Sequence, residues 1–306
     1  MPRKNFLLRA LPLRALCCLS LLGIAVGAQA GCAGGTDQQP AYPDPSVVDP
    51  PSEDLDLPEE EPEEDTSGSE ADMEEPQSPI RVVAGERQPI EGDSPQISIT
   101  SPLMGATVRR GDVSLRINLE DWELQSAPGR HVHVIVDNEP YIAVRDVSSA
   151  LNLNELVQEN LGHELAEGTH VVRIFPSRGH HESVKTDGAF AAVMFHYRSQ
   201  TDGFTFNPDS PLLTFSRPKG CSTTGSRLLL DFYVSNAALA ADGHRVHYSI
   251  DDAIEGDIAN WAPHWIEGLP AMSHTIELTL LGPDGQPVDG PFNQTRRTIR
   301  VASSCE

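Results

Sequence analysis

The stretch Gly129-Arg-His-Val-His-Val-Ile-Val-Asp137, "GRHVHVIVD", decides how this chain is read. Valines 132, 134 and 136 alternate with His131, His133 and Ile135, the two-residue period of a half-buried β-strand and not the 3.6-residue period of a helix. One face is therefore apolar and belongs to a core. The other presents two imidazoles, with Asp137 just beyond, and invites comparison with a metal site.

Working outward, the same pattern recurs. "ITSPLMGATVRRGDVSLRINLEDWELQSAPGRHVHVIVDNEP" lines up with "TFSRPKGCSTTGSRLLLDFYVSNAALAADGHRVHYSIDDAI", pairing Pro102 with Pro218, His133 with His247 and Asp137 with Asp251. Further on, "LAEGTHVVRIFPSRGHHES" answers "LPAMSHTIELTLLGPDGQP", with Leu165 opposite Leu269 and His170 opposite His274. Two copies of a unit of about 100 residues thus fill 96–200 and 206–306, a repeat that has to be recognised before elements are assigned.

Inside each copy the segments alternate and carry branched residues: "DVSLRINLE", "HVHVIVD", "HVVRIF" and "AAVMFHY" in the first, "SRLLLDFYVS", "HRVHYSID", "HTIELTLL" and "TRRTIRVA" in the second. Gly, Pro, Asp and Asn clusters separate them, the signature of short antiparallel strands. The expected class is all-β, two tandem antiparallel sandwiches. One exception is "DVSSALNLNELVQENLG" (146–162), whose apolar spacing predicts a short crossover helix in the first copy. The second copy is shorter there and places Trp261 and Trp265 in the crossover, as end-packing residues or as ligand contacts.

The chain ahead of the repeat has a different character. Residues 1–31 join a basic start (Arg3, Lys4, Arg9, Arg14) to the apolar run "LCCLSLLGIAVGA", which is too short for a permanent span, and end in small residues; this is a secretion signal. "AQA" at 28–30 suits ordinary signal cleavage. Ala30-Gly31-Cys32 resembles the lipobox of bacterial lipoproteins, with Gln29 where that family has leucine. The resemblance implies acylation at Cys32, a membrane held through that lipid anchor and, with Ala33 following the cysteine, an outer-membrane destination. Cysteine arithmetic agrees, since acylation would remove Cys32 from an odd set of three and leave Cys221 and Cys305 as a pair.

From 32 to 95 the composition turns acidic and proline-rich, with 19 Asp or Glu against two arginines, so the expectation is a disordered tether that cannot bury enough surface to offset its ordering entropy. Most of the formal charge of −23 lies there, which argues against nucleic acid as a partner.

"SPLMGATV" before a strand and "L-x-x-G-T-H-V-V-R-I" later resemble the bacterial immunoglobulin-like domains carried in tandem by surface and periplasmic proteins. The second copy departs from the pattern at "LPAMSHTIEL", which lacks the glycine. The resemblance implies sandwich folds with binding, spacing or adhesive roles toward a protein or glycan partner. It also implies neighbouring first and last strands, so that a Cys221–Cys305 bridge would staple the second copy.

For chemistry the inventory is mostly negative. There is no G-x-S-x-G elbow, H-E-x-x-H, P-loop or G-x-G-x-x-G after a strand, and the expectation is a non-catalytic module. Histidines two apart on a strand could share zinc or copper, with further ligands from His180 and His181 in the "SRGHHES" turn or from His196. The competing expectation is that His131 and His133 are outward-facing residues making cross-strand contacts. His170 and His274, at strand entries, are expected to point inward and to bond backbone groups.

Overall fold

The computed structural model describes residues 79–305. The signal segment 1–31, Cys32 and most of the acidic stretch lie outside the described residues. Within them the chain is almost entirely β, and no described helix is long and apolar enough to cross a membrane.

A leading strand β1 (Arg81–Ala84) precedes the first sandwich. That sandwich comprises β2 (Gln96–Ser101), β3 (Ala106–Val108), β4 (Ser114–Glu120), β5 (His131–Val136), β6 (Ile142–Val144), β7 (Leu151–Asn152), helix α1 (Leu153–Leu161), β8 (Gly168–Ser177) and β9 (Ala191–Tyr197). Its sheets run β2-β4-β7 and β3-β9-β8-β5-β6. Val132, Val134, Val172, Ile174 and Phe195 of the larger sheet close on Ile97, Leu115 and Ile117 of the smaller. The predicted crossover helix is α1. Asn152 caps it by accepting from the backbone N–H groups of Asn154 and Glu155, and Gly162 ends it in a left-handed conformation.

The second sandwich follows with β10 (Leu212–Arg217), β11 (Cys221–Thr223), β12 (Leu228–Ser235), β13 (Arg245–Ile250), β14 (Ile254–Ile258), β15 (His264–Glu267), β16 (Ser273–Leu281) and β17 (Gln294–Ala302). Its five-stranded sheet runs β11-β17-β16-β13-β14, the order of the first sandwich repeated. Other details recur too. β3 and β11 each pair in parallel with the last strand of their own copy, and β2 and β10 each slip register before pairing on, between Ile99 and Ser101 and between Phe215 and Arg217. Cys221 and Cys305 are disulfide-bonded across 5.7 Å between Cα atoms, as the resemblance implies for first and last strands.

Two observations depart from the sequence expectations. β1 lies inside the range 32–95 assigned to the tether, yet it pairs antiparallel with β15, Val82 facing Ile266 and Val83 facing Trp265. Ile80 and Val82 pack against the core of the second sandwich. A four-residue "RVVA" is too short to move the composition of its acidic surroundings, but it has the branched residues that an open sheet edge accepts. The first stretch of described chain therefore belongs to the second sandwich, before the first has begun.

The second departure concerns β5. All six of its residues are buried, as are all eight of β12 and nearly all of β8. The side of β5 and β8 turned away from their own core is covered by β10 and β12 of the other sandwich. Ile135, Tyr141 and Phe175 meet Tyr233 there, and Val171 meets Leu212 and Phe292. Polar groups cross the same boundary: Asn138 bonds Thr295, Lys185 bonds Asp231 at 2.6 Å, and Ser183 donates to the same carboxylate at 2.8 Å.

Arg173 stands at the centre, fully buried. It donates to the carbonyls of Leu213 and Asp137 and to Thr214, with its guanidinium carbon 4.0 Å from the centroid of the Phe292 ring. Burial pushes it down to about 9. Neutral acceptors and a ring face stabilise the charge at close range, and the Asp137 carboxylate favours it from farther off.

Truncating this side chain empties the boundary and strands its acceptors, so Arg173→Ala should lower the unfolding free energy by about 3 kcal/mol or more, read by urea denaturation. A change under about 0.5 kcal/mol would mean the boundary does not depend on it.

Candidate metal centre

The covered face of β5 holds the site. His131 and His133 project from it and are fully buried. They point away from the valine core as the alternation requires, but they do not reach solvent, because the second sandwich lies over them. The expectation of outward, surface-type histidines is corrected here: a strand's period separates two faces and does not say whether the second face is covered.

His181 joins them from the turn between β8 and β9. It adopts φ +70°, a left-handed conformation that few non-glycine residues take, and this turns its ring back over β5 while its neighbours point elsewhere. His131 Nε2 lies 2.9 Å from His181 Nδ1 and 3.0 Å from His133 Nε2, and one nitrogen from each of the three rings falls within 4.8 Å of the others.

The outer nitrogen of His131 defines its tautomer. His131 Nδ1 is 2.9 Å from the Gly129 carbonyl, which can only accept, so Nδ1 carries the proton and Nε2 offers a lone pair inward. His133 Nδ1 meets the Ser216 hydroxyl at 3.0 Å, a partner from β10 in the other sandwich. Such outer bonds orient metal-ligating imidazoles and fix the nitrogen that faces the ion. Without an ion the centre is awkward, since a single lone pair on His131 faces two other ring nitrogens.

The rings are held neutral. Burial lowers His131; burial, then the neighbouring His131 and His181, lowers His133 well below the ordinary imidazole range. His181 is pushed down to about 3 by burial, with Arg217, His131, Lys219 and Arg145 adding repulsion. Neutral imidazole is the ligating form. Tetrahedral coordination with metal–nitrogen bonds of about 2.0–2.1 Å places ring nitrogens roughly 3.3 Å apart, so an entering ion would spread the two close contacts slightly and draw together the widest pair of a set that spans 4.8 Å.

Tyr141 closes one side, its ring stacked 3.6 Å from that of His133 and 5.4 Å from that of His181. Arg217 donates to the Tyr141 hydroxyl at 2.8 Å, and the Lys219 ammonium sits 3.9 Å from the ring centroid. Both cations come from the second sandwich. Neither Tyr141, Lys219 nor Ser216 is identifiable from the sequence, because each acts through the contact between sandwiches.

The other candidates lie elsewhere. His180 bonds Glu182 at 2.8 Å with 45% of its side chain exposed, and His196 pairs with Thr169. Asp137 does not face the cluster: with φ +50° it turns back to accept from the backbone N–H of Val171 and to meet the His170 ring at 2.8 Å. Asp251 does the same to Thr275 and His274 in the second copy. His170 and His274 also reach the carbonyls of Ala166 and Pro270, the inward structural role expected of them. In the second copy His247, the partner of His133 in the repeat, is partly exposed and pairs with Asp257 at 2.8 Å. Trp261 packs edge-on against Tyr233, 5.1 Å between centroids, and lines a cavity of 570 Å³. Trp265 lies on β15 under the Arg227 guanidinium, so the two tryptophans form no common platform.

No protein-family model matches this chain, and no curated protein matches it either. Solved structures similar to this chain include the fibronectin(III)-like modules of Clostridium thermocellum CbhA, at 11% identity and a TM-score of 0.24 over 68% of this chain and 94% of that one. A second is the Bacteroides ovatus mixed-linkage glucan utilization locus protein SGBP-B, solved with a mixed-linkage heptasaccharide, at 12% identity and a TM-score of 0.21 over 70% of this chain and 48% of that one. A third is the calcium binding domain CBD12 of CALX1.1, at 10% identity and a TM-score of 0.20 over 67% of this chain and 99% of that one.

The lowered histidines give the folded chain a pH dependence of definite sign. Their folded-state values lie below the ordinary 6.5, so the unfolded chain takes up protons that the folded chain refuses. Their contribution is complete above pH 6.5 and is lost as pH falls, for His181 down to about 3. His170 has the opposite sign. Burial opposes its charge, but its bond to Asp137 prevails and raises it, so its contribution is present in acid and lost as pH rises. His264 is lowered by burial as well, so with four groups against one the urea midpoint of the metal-free protein should fall between pH 7 and pH 5, and fall less in His181→Asn. A midpoint that stays level or rises over that interval would contradict the burial of neutral rings.

Proposed function

We propose that this chain is a non-catalytic binding module of the bacterial cell envelope, lipid-anchored through Cys32, whose bound species is a single d-block metal ion, zinc or copper, held by His131, His133 and His181. The observation that carries the reading is the convergence of three neutral imidazole nitrogens within 4.8 Å, two of them oriented by outer hydrogen bonds to Gly129 and Ser216. Imidazole sets of this kind suit zinc and copper and are poor sites for calcium or magnesium, which prefer oxygen. The signal layout and cysteine count support the envelope location, and the missing catalytic signatures support a binding role.

A polar cluster of imidazoles is a costly filling for a boundary that is otherwise aromatic and apolar. Tyr141, Phe175 and Tyr233 show what simple packing there looks like. Ligation by two residues of β5 and one of the β8–β9 turn would offset that cost, and Ser216 would make ion binding sensitive to the seating of the second sandwich.

Calorimetric titration of the mature, disulfide-intact chain with zinc and with copper(II) should show one submicromolar site. His181→Ala should weaken it at least about 100-fold, given that a lost ligand costs more than the 10–100-fold of an outer-shell change, whereas His180→Ala should leave it unchanged. Equal binding by the His181→Ala and His180→Ala proteins, or no site in the native chain, would overturn the proposal.

A further inference from the structure

The metal reading has a difficulty that itself carries information: the surroundings of the three histidines are cationic. Lys219 and Arg217 flank Tyr141, whose ring covers His133, and Arg145 directly follows Val144, the register partner of Val132 beside His131. Among the described residues none of the three has a carboxylate within ion-pair distance. Lys219 donates to the Tyr141 carbonyl, Arg217 to the Tyr141 hydroxyl, and the buried Nε of Arg145 has no partner.

This is not the character of the chain around it. Residues 96–306 carry 26 acidic against 16 basic side chains, and several surface arginines have a carboxylate partner, as Arg81 and Arg227 have Glu267 and Arg296 has Asp252. A divalent ion placed beside three unneutralised cations would be repelled. The ligand set is neutral throughout, so nothing among the ligands offsets that repulsion.

The ligand count bears on the same point. Three imidazoles leave a tetrahedral ion one position open, the arrangement of a site that takes an exogenous fourth ligand. Of the three rings His181 alone is partly exposed, so access to that position runs along the β8–β9 turn.

We infer that the site binds its metal jointly with a small anion, which occupies the open coordination position and neutralises Arg145, Arg217 and Lys219. The anion class is a ligand with one coordinating anionic atom and little bulk, such as a carboxylate. Metal and anion then bind with positive coupling: each supplies the charge the other lacks, and by linkage each tightens the other by the same factor. This rests on the metal reading above, and the test separates the two.

The mature chain loaded with one copper(II), in methanesulfonate buffer to avoid competing anions, is titrated with azide, whose coordination to copper(II) produces a ligand-to-metal charge-transfer absorption. Acetate is then added as competitor. The expected result is a saturable band, reversed by acetate. Lys219→Gln and Arg145→Gln should each weaken azide about tenfold, the worth of one nearby charge at a partly screened site, while still binding one copper. Lys219→Arg should restore the affinity. In the reciprocal experiment acetate should tighten zinc binding to the native chain, and at the same acetate concentration tighten it less in the Lys219→Gln protein.

A chain that binds one copper but develops no azide band, or whose azide affinity ignores both charge substitutions, overturns the joint site and leaves the metal reading in place. Acetate that binds equally well to the metal-free chain overturns the coupling. Failure of copper and zinc to bind in any buffer overturns the metal reading and the joint site with it.

Discussion

Everything distinctive about this molecule depends on a sheet with two buried faces. In an isolated sandwich the outer face of β5 and β8 would meet water, and its residues would be free to be polar in any arrangement. Here that face is packed on β10 and β12, so each polar group on it must find a partner within the boundary. Arg173 finds carbonyls and a ring, Asp231 finds Lys185 and Ser183, and the histidines find one another. The boundary resembles a third core, placed between the two that the strand pattern predicts, and it holds the chemistry because polar side chains from distant parts of the chain meet there out of water.

The two copies show how one strand pattern came to serve two purposes. Both retain the carboxylate that turns back through a left-handed residue to grip the histidine and backbone of the next strand, Asp137 with His170 and Asp251 with His274. That clamp belongs to the fold. On β13 the face corresponding to the metal centre is open, and His247 and Arg245 share Asp257 in the manner of an ordinary polar surface. The same positions on β5 are covered, and there the second imidazole replaces arginine. Coverage, and not the strand itself, made the histidine face of the first copy into a candidate site.

Much of this was legible in the sequence because it is local or periodic. The strands, the crossover helix, the repeat and the inward role of His170 and His274 all follow from spacing within short windows. His131, His133 and His181 could be named as candidates, since their residue type carries the chemistry. Their burial could not be foreseen, nor could the choice of His181 over His180: the first depends on contact with a strand some 80 residues away, the second on one left-handed backbone angle in a turn. Tyr141, Ser216, Arg217 and Lys219 gave no signal, being common residues made relevant by a neighbour. β1 was hidden for the opposite reason, a genuine local pattern submerged in an acidic stretch.

The position of β1 also determines how load would travel through the molecule. The chain contributes a strand to the edge of the second sandwich, crosses to build the whole of the first, and returns through residues 198–211 to complete the second. A pull applied from upstream of Arg81 would be borne first by the β1–β15 ladder, so the first sandwich lies on a closed excursion between two attachments to its neighbour. The disulfide at Cys221 and Cys305 ties the far strands of the loaded sandwich together. The histidine cluster lies on that excursion, held between the two bodies and shielded from tension until the ladder gives way.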